Sequence, residues 1–273
     1  MSDMTDRTVL ITGATDGLGR ELATRLAAAG ARLILHGRDA ERAASLTAEI
    51  TAAGGHKPTT VLAEVSRLAE VDRLADDILA HTGRLDVLVN NAGTGGLSDR
   101  VLTTDGNEFI WAVNHLAPYR LTRRLLPLLR ASAPARVVNV ASAGQEAIDF
   151  DDLTFEHGYA GFAAYCRAKL AMVMSTIEFA AELAGSGVTV NALHPATLMP
   201  TTMVLGAGIA PVSTLDEGAV ATLRLICDPA LARTSGRYFD GLIESDPHPQ
   251  AADPAARRRL TEISDAAISS ALG

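Results

Sequence analysis

Cysteine is nearly absent: there are two in 273 residues, Cys166 and Cys227, far apart in the chain. That excludes a disulfide-stapled fold and implies buried free thiols in a reducing compartment. Cys166 adjoins Tyr165, but a reactive thiol there ranks behind simple packing. Positive charge is in the minority, with 24 Lys and Arg against 32 Asp and Glu, a net charge of −8 and no basic block. Nucleic acid is therefore not an expected partner. The seven histidines show no metal-ligand spacing, so no metal is expected. The opening stretch MSDMTDRTVLITGA has acidic residues where a signal peptide needs a basic start. Charges break every apolar stretch before membrane-spanning length. A cytoplasmic protein with no membrane span is the expectation. Repeats, low-complexity segments and linkers are also missing, which favours one domain over residues 1–273.

What is present is an apolar chain, 48% hydrophobic, with short β-branched runs alternating with helical stretches. Strand-like runs fall at 7–12, 31–36, 58–63, 85–90, 135–140 and 188–193, with a weaker one at 236–241. Several are apolar almost throughout, as strands buried on both faces should be. Leu18–Ala29, Ala40–Ala53 and Leu68–Thr82 have the pattern and length of crossover helices. Strand and helix in alternation imply an α/β, single-domain, doubly wound Rossmann fold: a parallel sheet of about seven strands with helices on both faces.

Two local patterns carry chemistry. After the first strand, TGATDGLG (residues 12–19) opens a helix. Gly13 permits the tight turn, Gly17 lets a phosphate approach the backbone, and Gly19 lets helix and strand pack closely. The helix N-terminus offers unpaired N–H groups to a pyrophosphate. The pattern therefore points to dinucleotide binding rather than an ordinary strand–helix turn. The second pattern is AAYCRAKLA (163–171). Tyr165 and Lys169, four apart on a helix, have Cβ atoms roughly 5–6 Å from each other. A lysine charge there is expected to favour the phenolate and lower the Tyr165 pKa, although such a pair also occurs as plain helix surface.

The glycines run G-x-x-x-G-x-G. NNAG (90–93) follows the fourth strand, Asn114 sits in WAVNHLAPYRLT, Ser142 closes the fifth strand in VVNVAS, and Tyr165 and Lys169 form Y-x-x-x-K. Together these resemble the short-chain dehydrogenase/reductase family over most of the chain. AVNHLAPYRLT, SAPARVVNVAS and YCRAKLA resemble its retinol-dehydrogenase-like branch. The resemblance implies a catalytic tetrad of Asn114, Ser142, Tyr165 and Lys169. Tyr165 would be the general acid/base, and Ser142 would donate to the substrate oxygen. Lys169 would tune Tyr165 and hold ribose hydroxyls; Asn114 would hold a water beside Lys169. For the cofactor it implies a pyrophosphate loop of Gly13, Thr15, Asp16, Gly17, Leu18 and Gly19. Asn91, Ala92 and Gly93 would lie along the adenosine side, and Glu64 and Val65 near the adenine. Tyr165, Lys169 and Pro195 would complete the nicotinamide end. Glu64 departs from the family's usual Asp, so an exposed charge is an equal reading there.

The family's acidic NAD-selecting position aligns with Gly37, and Arg38 follows it, with His36 as a possible helper. This favours NADP (as NADPH) over NAD. Asp16 and Asp39 carry the opposite charge, although Asp39 also reads as the N-cap of the next helix. Residues 195–218, with Pro195-Ala196 in place of the family's Pro-Gly, are expected to form a Met-rich substrate lid, and 143–159 a second wall. A flap of this kind suits an apolar or aromatic carbonyl or alcohol; a loop that covers the core weighs equally. The tail 253–268 reads as a charged amphipathic helix whose Arg257–Arg259 run is a solvated face. The resemblance further implies a homodimer or homotetramer formed through the helices before the fifth and sixth strands. The alternatives are a catalytically silent dinucleotide sensor or scaffold, and a reductase of C=C bonds.

Overall fold

The computed structural model describes residues 3–95 and 98–273. Its sheet is built from β1 (Thr8–Ile11), β2 (Arg32–Gly37), β3 (Thr59–Leu62), β4 (Val87–Asn90), β5 (Ala135–Val140), β6 (Val188–His194), β7 (Tyr238–Asp240) and β8 (Ile243–Ser245). The spatial order is β3-β2-β1-β4-β5-β6-β7-β8. The first seven run parallel, and β8 turns back antiparallel on β7. That eighth strand exceeds the expected count: three residues on an exposed edge leave no periodic signal. β1, β4 and β6 are buried along their whole length, as continuous apolar strands covered on both faces must be.

One face is covered by α1 (Gly17–Ala28), α2 (Ala40–Ala52) and, after the lid, α8 (Leu215–Cys227). The other carries α3 (Leu68–His81), α4 (Phe109–Trp111), a π-helical turn (Ala112–Leu116), α5 (Ala117–Ala131) and α6 (Gly161–Glu182). The chain order reverses between β1 and β4, so their carboxyl ends define the crevice in which such sheets bind ligands. The lid region 195–218 contains one short helix, α7 (Thr202–Gly206).

The C-terminal helix α9 (Pro254–Leu272) packs on α6 and α3. Ala256, Leu260, Ser264 and Ile268 form its buried stripe. In the arginine run Arg258 and Arg259 are exposed, as expected, whereas Arg257 is half-buried. Arg257 Nε donates to Glu178 on α6 (2.6 Å) and Arg259 Nη2 to Asp151 (2.7 Å). The segment before α9 braces the second wall: Gln250 exchanges two hydrogen bonds with the Ile148 backbone (2.6 and 3.0 Å).

Candidate active site

The glycine loop is fixed by its backbone. Gly13 and Gly17 take the left-handed conformation, at φ 63° and 47°. A Cβ on Gly19 would sit 2.1 Å from the Gly13 carbonyl oxygen, so only glycine lets α1 start this close to β1. Asp16 caps α1 by accepting the Gly17 N–H (2.8 Å), and its other oxygen faces Arg42 at 3.7 Å. The Asn91 amide donates to the carbonyls of Thr12 (2.8 Å) and Gly13 (3.1 Å) and ties the β4 loop to the glycine loop. Thr12, which the sequence did not single out, accepts the N–H groups of Asn91 and Ala92, both at 3.0 Å. Leu18 and Val65 are buried in the core. The segment 195–218, the expected lid, lies across this region. A Cβ on Gly17 would meet Thr201 at 3.0 Å, and one on Gly95 would meet Met203 at 2.8 Å. Met199 is buried and packs toward Gly218 and Leu18, whereas Met203, Leu205 and Ile209 stay exposed. The lid thus has a core-covering root and an apolar outer part. Pro195 is buried where the lid leaves β6, and Ala196 needs no positive φ.

At the end of β2, Gly37 is enforced by packing: a Cβ there would lie 2.7 Å from the Thr15 methyl. Arg38 and Glu64 are brought together, with Arg38 Nη1 donating to Glu64 Oε2 (3.1 Å). Burial alone would raise the Glu64 carboxyl, but hydrogen bonds from the Ser66 N–H and Arg38 outweigh it and hold the pKa down. Glu64 is therefore a partnered group rather than a bare charge. Asp39 is the N-cap of α2, accepting from the N–H groups of Glu41 and Arg42. His36 cannot help bind a phosphate. It is 1% exposed, its Nδ1 accepts from the Gly13 N–H (3.3 Å), and its Nε2 therefore donates to the Ala63 carbonyl (3.1 Å). Burial holds this imidazole neutral. It supports the glycine loop.

The four tetrad residues converge at the carboxyl ends of β4 and β5. Asn114 lies in the π-helical turn and is fully buried; its Oδ1 accepts the Thr94 N–H (2.8 Å) and its Nδ2 donates to the Thr94 carbonyl (3.0 Å). Such one-turn π segments recur at functional sites because they re-aim a side chain. A Cβ on Gly93 would lie 3.2 Å from Asn114 Oδ1 and 3.5 Å from Lys169 Nζ, so both close around the same bare backbone. Lys169 Nζ donates to the Val140 carbonyl (2.8 Å) and lies 5.6 Å from the Tyr165 ring centroid. Burial pulls its pKa from 10.5 to about 8. The Ser142 hydroxyl accepts the Gly144 N–H (3.0 Å) and lies beside the Tyr165 phenol. The lowering of Tyr165 by Lys169 is not found. Burial dominates and raises the phenol, against the pull of Ser142. Tyr165 is thus poised in its protonated form. Cys166 is 4% exposed, and burial pushes its thiol up to about 11, which confirms a packed thiol.

Buried polar residues missed in the sequence support this centre. Asn139 sits opposite Asn90 in the β4–β5 register and accepts from its amide (2.8 Å), while its own Nδ2 donates to Thr176 (2.8 Å). An asparagine interrupting the run VVNV was the available signal. A cavity of about 450 Å³ opens between His194, Pro195, Val212, Asp216, Val220 and Leu242; Pro195, expected at the nicotinamide end, lines it, and no tetrad residue does. Among the described residues no group of acidic, His and Cys side chains could hold a metal.

A glycine cradle at the switch point, beside a buried lysine and a protonated tyrosine, defines a dinucleotide-dependent oxidoreductase. The short chain dehydrogenase family profile matches residues 7–208. The chain is 37% identical to retinol dehydrogenase 13 of Homo sapiens, over 93% of this chain and 82% of that protein. Among solved structures, an uncharacterized protein from Mycobacterium paratuberculosis superposes with a TM-score of 0.82 at 28% identity, covering 98% of this chain and 96% of that one. The RhlG/NADP active-site complex of Pseudomonas aeruginosa gives 0.71 at 29% identity, covering 88% and 97%. The chain belongs to the short-chain dehydrogenase/reductase family and is an NAD(P)-dependent oxidoreductase.

Proposed function

We propose that this protein is an NADP(H)-dependent carbonyl reductase or alcohol dehydrogenase for apolar small molecules, with Tyr165 as general acid/base. The observation that carries the reading is the meeting of Ser142, Tyr165, Lys169 and Asn114 beside the glycine loop. The residues fit a dinucleotide. Gly13, Gly17 and Gly93 leave bare backbone where side chains would intrude, and Asn91 locks the two loops that would flank it.

When bound, the nicotinamide supplies or takes the hydride. The chain's own residues do the rest. In reduction, the Tyr165 phenol gives its proton to the carbonyl oxygen, and burial keeps that proton in place at neutral pH. Ser142 Oγ donates a second hydrogen bond to the same oxygen, where negative charge develops. The Lys169 ammonium would stabilise the phenolate left behind and, with the cofactor bound, would hold the ribose hydroxyls. Asn114 holds a water in the path that returns a proton to Tyr165.

For NADP over NAD, the support is Gly37, which carries no carboxylate, and the adjacent Arg38 guanidinium. The RhlG relative was solved with NADP. Glu64 competes for Arg38, so a 2′-phosphate would displace or share that ion pair. The relatives named retinol dehydrogenases and the exposed apolar side chains of the lid support an apolar substrate.

Among the described residues no helix is long and apolar enough to cross a membrane; a cytoplasmic location is part of the proposal and is tested by cell fractionation. The homodimer or homotetramer implied by the sequence would use α5 and α6. Here α9 covers part of that surface, and Phe162 is the one exposed large apolar side chain described on the two helices. A homodimer or homotetramer remains part of the proposal; light scattering at micromolar concentration tests it, and a monomer would refute it.

The functional test is titration with NADPH and NADH, followed by NADPH oxidation against all-trans-retinal, benzaldehyde and 9,10-phenanthrenequinone. Tight NADPH binding with turnover of any of them supports the reading. Failure to bind either cofactor would overturn it.

A further inference from the structure

The C-terminal helix reaches back to the candidate site through a contact that the catalytic reading does not use. His115 follows Asn114 in the π-helical turn and is 1% exposed. Its Nε2 lies 2.8 Å from Ser264 Oγ on α9, a residue 149 positions away. The Ser264 hydroxyl proton is already donated to the Leu260 carbonyl (2.7 Å). The oxygen therefore accepts, His115 carries its proton on Nε2, and its Nδ1 has no partner among the described residues. Burial holds the imidazole neutral, with a pKa of about 3. The ring is further fixed between Trp111 and Tyr119, with centroids 4.5 and 5.9 Å away. One turn on, the Tyr119 hydroxyl donates to Asp265 (2.8 Å), the neighbour of Ser264. Adjacent residues of a helical turn point in different directions, so the turn is held from two sides. Asn114 grips Thr94 on the side of the site, and His115 grips Ser264 on the other.

We propose that Ser264 is a positioning residue: through His115 it fixes the π-helical turn and so aims the Asn114 amide at Thr94. The proposal rests on the assignment of Asn114 to the site. Without the Ser264 acceptor the buried Nε2–H is left unpaired, and the turn must shift or admit water to satisfy it. Asn114 moves with the turn.

The test uses the full chain and the variants Ser264→Ala, Ser264→Thr, Thr261→Ala and Asn114→Ala. Thr261 also lies on α9, and among the described residues its hydroxyl bonds only its own helix, to the Arg257 carbonyl. Kinetics use NADPH and whichever of the three carbonyls above is reduced fastest. Ser264→Ala should lower kcat about tenfold with the KM for NADPH nearly unchanged, and add nothing further in the Asn114→Ala background. Ser264→Thr, which keeps the oxygen, should restore kcat, and Thr261→Ala should leave it alone. A readout free of turnover is deuterium exchange at the Thr94 amide, which Ser264 does not touch: Ser264→Ala should speed it about tenfold. If Ser264→Ala lowers only the melting temperature, with kcat and Thr94 exchange as in the parent, the proposal is overturned. If Asn114→Ala keeps full kcat while Ser264→Ala speeds Thr94 exchange, the mechanical link stands and the catalytic assignment of Asn114 fails. If Ser264→Ala does not fold, Ser264→Cys replaces it, with the same two readouts deciding.

Discussion

Lys169 should make the protein less stable than it would be without it. Its ammonium is 4% exposed and has one described hydrogen-bond partner, the Val140 carbonyl. The fall in pKa from 10.5 to about 8 measures what burial does to the charged form. At about 1.36 kcal/mol per pH unit the penalty is about 3 kcal/mol. Lys169→Met keeps much of the volume and removes the charge, but leaves Val140 without its donor, a loss of about 1 kcal/mol. The net gain at pH 7 is about 2 kcal/mol. With an unfolding entropy of roughly 2 cal/mol/K per residue, this raises Tm by about 4 °C. The pH dependence fixes the cause. Below pH 8 the lysine is protonated in both folded and unfolded chains, and the penalty is complete. Between about 8 and 10.5 the folded chain gives up its proton first, so parent stability rises with pH relative to the variant. The advantage of Lys169→Met should therefore hold below about pH 8, shrink above it and be nearly gone at pH 10. Thermal denaturation from pH 6.5 to 10 measures it. A variant less stable than the parent by a constant amount at every pH would refute the reasoning. Turnover should be lost throughout, because a charge that destabilises the fold is retained for the reaction.

Tyr165→Phe should lower kcat by at least about 10²-fold while NADPH affinity stays within a few-fold; a small effect in the kinetic assay would remove Tyr165 from its role. Arg38→Ala should weaken NADPH binding far more than NADH binding in a fluorescence titration, and equal losses would remove the 2′-phosphate contact. Gly19→Ala must push the Gly13 carbonyl aside, which should lower stability by about 1–3 kcal/mol and abolish cofactor binding; calorimetry that shows normal binding would refute the tight-loop argument. Cys166, with its thiol raised to about 11, should resist iodoacetamide at pH 7.5 in the folded chain and react on unfolding, as read by mass spectrometry.

The parts of the site legible in the sequence are those whose cause is local. Gly19 is glycine because of an oxygen six residues earlier, and the apolar run Val9–Ile11 of β1 reads as buried on both faces by itself. The parts that were not legible depend on neighbours set by topology. His36 looked like a basic residue near a phosphate. It is a neutral strut because β1 and β3 bring Gly13 and Ala63 to its two nitrogens. The Tyr165 shift had the opposite sign from expectation because a helix spacing gives proximity to Lys169 but not the depth of burial, and burial is the larger effect here.

The Ser264–His115 contact lies between these cases. Its 149-residue separation is invisible to any local pattern. Yet Ala256, Leu260, Ser264 and Ile268 repeat every four residues and share one face of α9. A serine in that stripe must either waste a buried position or satisfy a partner across it. Its proton goes back to Leu260, as serines in helices often arrange, but this leaves an acceptor aimed outward. The sequence thus announces an acceptor on the buried face of the last helix, and the fold supplies the donor, on the turn that carries Asn114. A polar residue at a core-facing register is a question about the opposite surface, and here the answer lies one residue from the candidate catalytic centre.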